Sequence, residues 1–209
     1  MTHIGRDEKV FDMRIFLSIL IIIFSLQSWT KADDISEFEI SGISIKDKIE
    51  KFLKKNEIKR YKRKIFKTDE YITLQFEASL LNSDEYDLIE INFKNPILIV
   101  ESISGIKFFK NVNNCFKQQD EIISSLNEMF LNNKKVNFID KKVYVHGADT
   151  SGKSTYTRAS FMFSKGDKIS IDCNHYSQKF INLHKVDHQL YVAIDTKEFD
   201  DFLGSGRAY

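Results

Sequence analysis

The chain has 209 residues, with 31 Lys and Arg against 30 Asp and Glu, one proline and two cysteines. This length suits one domain with a real core. The balanced charge gives no long-range pull towards polyanions, so neither nucleic-acid binding nor a purely electrostatic membrane association is expected.

Met13-Arg14 is followed by an almost unbroken apolar run over residues 15–26, and then by QSWTKA. One positive charge, a short apolar stretch and a small-residue exit are the three parts of a secretory signal peptide. Thr30 and Ala32 take the small positions, which predicts cleavage after Ala32. The run is shorter than the roughly 20 apolar residues of a membrane helix, so no stable span is expected after processing. An uncleaved anchor is the alternative. Residues 1–12 carry three acids ahead of the run, which points to Met13 as the working start. Residues 33–209 are then a single mature domain in a periplasmic or secreted setting. The leader holds four of the basic and three of the acidic residues, leaving 27 of each.

Ser44-Ile-Lys-Asp47 reads as a capping box with Asp in place of Glu, opening a helix to about Arg60. Ile45, Ile49, Phe52 and Leu53 fall on one face of it. Strand character follows over 71–78, 86–94 and 97–109, with Pro96 marking a turn or an edge. A second helix is predicted over 114–131, its stripe formed by Phe116, Ile122, Ile123, Leu126, Met129 and Phe130. Strands return over 136–146, 155–163, 168–174 and 189–195, with Lys165-Gly166-Asp167 as a hairpin turn. A short helix over 197–203 closes the chain. The order α-βββ-α-ββββ-α argues an antiparallel α+β domain and against a parallel βαβ sheet.

Four segments carry a resemblance: 33–49 (DDISEFEISGISIKDKI), 115–123 (CFKQQDEII), 149–154 (DTSGKS) and 194–203 (IDTKEFDDFL). They resemble a family of small exported proteins from AT-rich marine bacteria. The resemblance implies export and a shared fold, and it brings no catalytic residues with it.

Residues 147–154 (GADTSGKS) match the phosphate-loop pattern GxxxxGK[ST], with Gly147, Gly152, Lys153 and Ser154 at its fixed positions. That chemistry needs a helix directly after the loop. Residues 154–163 alternate like a strand, so a polar inter-strand loop is the expected reading and no nucleotide or other cofactor is expected. His146, Asp149, Ser151 and Lys153 offer a base, an orienting group and a nucleophile for a small exported hydrolase, the main alternative to a binding role. No nucleophile elbow precedes the serine.

Cys115 and Cys173 are the only cysteines, and an even count in an oxidising compartment predicts one disulfide. Two buried thiols, or a Cys–His pair with His146 or His175, are the other readings. His184 and His188 have the spacing of a helical zinc pair, but their flanks do not give a helix, and a polar turn without metal is expected.

Residues 54–67 hold Lys54, Lys55, Lys59, Arg60, Lys62, Arg63, Lys64 and Lys67 against Glu57 alone. This block suits an acidic ligand or an envelope protein as partner. Residues 69–90 carry seven acids and no base. The two blocks either face each other or stand as separate solvated surfaces.

Overall fold

A computed structural model describes residues 34–209. The proposed leader and its cleavage point lie outside the described residues. The alternating segments all become strands, and eight strands join in one antiparallel sheet. In chain order the elements are β1 Glu39–Ile40, β2 Ile43–Ser44, α1 Lys55–Tyr61, β3 Lys62–Arg63, β4 Tyr71–Glu77, β5 Leu88–Lys94 and β6 Ile99–Phe109. Then come α2 Val112–Phe130, β7 Val136–Val145, β8 Thr155–Phe163, β9 Lys168–His175, α3 Gln178–His184, β10 His188–Asp195 and α4 Lys197–Gly204.

The sheet order is β3-β4-β5-β6-β10-β9-β8-β7. Two meanders, joined in sequence by α2, meet where β6 pairs with β10, from His188 opposite Phe109 to Asp195 opposite Ser102. Because side chains alternate along each strand, Leu74, Phe76, Ile89, Ile91, Phe93, Ile169, Ile171, Val192 and Ile194 gather on one face in the main core. Helix α2 contributes Ile123, Leu126 and Phe130 to that core, and Phe116, Ile122 and Met129 pack against it. The Cys115–Cys173 disulfide ties α2 to β9. One turn on, the buried Gln119 amide donates to the carbonyls of Thr157 (2.9 Å) and Ile171 (2.8 Å) and accepts from the Thr157 hydroxyl (2.8 Å). A fully partnered buried amide of this kind fixes how the helix sits on the sheet.

The other face of the sheet carries a second, smaller core of Phe66, Tyr71, Phe199, Phe202 and Ala208. Helix α4 is anchored there by a β-bulge. Val100 and Ser102 pair with successive residues of β5, which leaves Glu101 as the extra residue. Glu101 accepts from the backbone amide and hydroxyl of Thr196, the N-cap of α4.

Two local expectations fail. No helix starts at Ser44, which ends the β1–β2 hairpin; Ser41 and Lys46 have positive φ, and a 3-10 turn covers Ile49–Lys51 before α1 begins at Lys55. The Asp47 carboxylate does accept from the Ser44 amide (3.2 Å), so the capping signal was one half of a tight turn. Ile45, Ile49 and Leu53 are buried as their spacing required, but without a helix. The residues leading to His184, expected not to be helical, form helix α3, N-capped by the Ser177 side chain, and the expected polar turn follows it at residues 185–187.

Candidate functional site

The phosphate-loop look-alike connects β7 to β8, and Ser154 leads straight into a strand. Its polar groups turn inward onto Asp149. That carboxylate accepts from the Ser151 amide (3.0 Å) and hydroxyl (2.7 Å), the Ser154 amide (3.1 Å) and hydroxyl (2.6 Å), and the Ser177 hydroxyl (3.0 Å). The loop thus cradles an anion, but the anion is its own side chain. These hydrogen bonds, with that of the Ser154 hydroxyl foremost, hold the Asp149 carboxyl well below the usual carboxylate range. Ser154 is fully buried, so its hydroxyl does not face a site where a metal–phosphate could sit, while Lys153 points into solvent.

The proposed hydrolase set lies in one loop, but among the described residues no hydrogen bond joins His146 to a serine hydroxyl. The hydroxyls of Ser151 and Ser154 both donate to Asp149, and His146 accepts through Nδ1 from the Ala148 amide (3.3 Å). The His146 ring packs edge-on to Tyr176 at 5.0 Å, and burial pushes its pKa down. Both cysteines are spent in the disulfide, which leaves no thiol for His146 or His175. His184 ends α3 and His188 begins β10, so the two do not share a helical face. His188 Nδ1 accepts from the Tyr176 amide (3.2 Å).

The basic block has the opposite character. Ile58 and Tyr61 pack on the main core, whereas Phe66 enters the second core on the opposite face of the sheet. Residues 54–67 therefore wrap round the β4 edge, with β3 as the outermost strand. Lys54, Lys55, Lys59, Arg60, Lys62, Arg63, Lys64 and Lys67 are all exposed. Among the described residues, no carboxylate forms an ion pair with any of them. Three of the seven acids of the acidic block are occupied elsewhere: Glu70 pairs with Arg207 (2.9 Å), Asp87 accepts from the Phe108 amide (2.7 Å) and Glu90 from the Tyr191 hydroxyl (2.7 Å). Among the described residues, no ion pair joins the two blocks. Positive side chains on an edge strand also discourage strand-to-strand aggregation.

A third polar feature was not picked out from the sequence. On the face opposite α2, Arg158 of β8 pairs bidentately with Asp172 of β9 (2.8 and 2.5 Å), and Tyr191 of β10 reaches Glu90 of β5. Burial raises the Asp195 pKa to about 6. Each of these residues occupies the polar position of an alternating strand, which normally means solvent, so the pattern concealed them. Glu90 and Asp172, each between apolar neighbours in sequence, were the available clue.

Among the described residues, no helix is long and apolar enough to cross a membrane, and no group of three or more metal-ligating side chains is assembled. No protein-family model, curated protein or solved structure matches this chain.

Proposed function

We propose that this chain is an exported, non-catalytic binding module that holds an acidic partner in the cell envelope against its basic edge at residues 54–67. The observation that carries this reading is the set of eight exposed cations, anchored from both faces of the sheet and left without a carboxylate. Charges placed so closely raise the local concentration of an anionic partner and speed its encounter. The Cys115–Cys173 bridge suits an oxidising compartment such as the periplasm.

The test is the dissociation constant for poly-L-glutamate, measured over a salt series. Because the contact is between exposed charges, affinity should fall at least about tenfold between roughly 50 and 300 mM salt. Salt-independent binding, or none, removes the proposal. Turnover of any substrate in an unbiased hydrolase panel would contradict the non-catalytic part. Export is checked separately by the intact mass of protein recovered from a Gram-negative periplasm, with a start at residue 33 expected and a retained leader contradicting it.

A further inference from the structure

The polar face of the sheet holds a row of small side chains in register. Ser104 of β6 lies beside Ala193 of β10, then Ser170 of β9, then Ser160 of β8. All four are buried. Larger side chains flank the row two residues away. Tyr191, Asp172 and Arg158 stand on one side, and Asp195, Lys168 and Met162 on the other. A floor of small residues between two lines of large ones is a trough, about 15 Å long at the usual strand spacing.

The trough contains polar groups that the protein does not satisfy. Ser170 Oγ, in the middle of the floor, has no hydrogen-bond partner, and its residue is only 3% exposed. Buried hydroxyls are rarely left in that state. Among the described residues, two carboxyls beside the floor form no direct ion pair. Asp195 lies opposite Lys168, but the Lys168 ammonium is bound by Asp200. Glu90, which pairs with Ser104 at the β5 end, accepts from the Tyr191 hydroxyl (2.7 Å), the Gln75 amide (3.4 Å) and the Asn92 side chain, all neutral donors. The other cation of the trough, Arg158, is committed to Asp172. Asp195 also accepts from the Ser102 side chain, so what the two carboxyls lack is a cation in direct contact, not an anion.

We propose that this trough binds a linear polyamine, with one ammonium shared by Asp195 and Ser170 Oγ and a second on Glu90. Glu90 and Asp195 are two strand spacings and two residues apart, about 12 Å between backbones. A triamine of the length of spermidine spans that distance, and its methylenes would lie over Ser104 and Ala193. A monoamine would reach only one carboxyl.

The probe is spermidine, titrated calorimetrically into the purified protein, with butylamine and glucose for comparison. The proposal predicts saturable one-to-one binding of spermidine and at least about tenfold weaker binding of butylamine. D195N, which removes one charge with little change of shape, should weaken spermidine at least about tenfold. S170V, which fills the floor and deletes the hydroxyl, should do the same. Near-ultraviolet circular dichroism checks that both variants fold, and either variant alone suffices if the other does not. Absence of saturable spermidine binding, unchanged affinity in a folded variant, or binding of glucose in its place would each overturn the proposal.

Discussion

The 146–154 loop and the 54–67 edge show why a motif and a site are different things. The loop spells a phosphate-binding pattern, yet Asp149 takes up the hydroxyls of Ser151, Ser154 and Ser177. The edge spells nothing recognisable, yet it presents eight cations with no ion-pair partner among the described residues. One region has closed its account of polar groups and the other has left it open. The lesson is to count partners before reading motifs.

The largest expected effect concerns the scaffold on which both regions hang. Replacing both cysteines by serine removes a link between residues 58 apart in sequence. The chain-entropy model puts the loss near 4 kcal/mol. Urea unfolding of the oxidised protein and the double variant measures it. A loss under about 1 kcal/mol would mean that Gln119 and the apolar contacts fix α2 by themselves.

Next comes the closed loop. D149A strands three hydroxyls and two amides, and the melting temperature should fall by several degrees, with new proteolytic cleavage between β7 and β8. The pH dependence has a definite sign. The folded-state pKa of Asp149 is depressed, so its stabilisation is present above about pH 4 and is lost as pH falls through the folded value. D149N should therefore flatten the acid limb of the stability curve. An unchanged limb would mean that the carboxylate is not the centre of the loop.

The smallest effects fall at exposed cations. K153A should change unfolding free energy by no more than about 0.5 kcal/mol. It should also leave the protein as indifferent to ATP as before, and ATP binding abolished by K153A would reverse the reading of the loop. The combined variant K59E, R60E, K62E and R63E should likewise shift stability only slightly, because no ion pair is broken. A loss of several kcal/mol would mean that the edge is structural.

Much of the fold was legible because strand alternation and the stripe of α2 are local signals. Seven strands and the helices over 112–130 and 197–204 lie within two residues of their expected ends. Spacing alone misled at Ile45, Ile49 and Leu53, since residues four apart can be buried by a hairpin and a 3-10 turn as well as by a helix. Helix α3 escaped because Leu183 is exposed and no apolar stripe forms. The β6–β10 junction joins residues about 85 apart, and no local pattern encodes it. The disulfide was legible from cysteine count. The exposure of the basic block was also legible, but its lack of partners was not, because seven acids follow it in sequence.

The most direct test compares the two regions in one titration. Poly-L-glutamate binding is measured for the wild type, for K153A and for the fourfold edge variant at low salt. The account predicts equal affinity for the wild type and K153A, and a loss of at least about tenfold for the edge variant. Equal affinity in all three, or a loss confined to K153A, would contradict it.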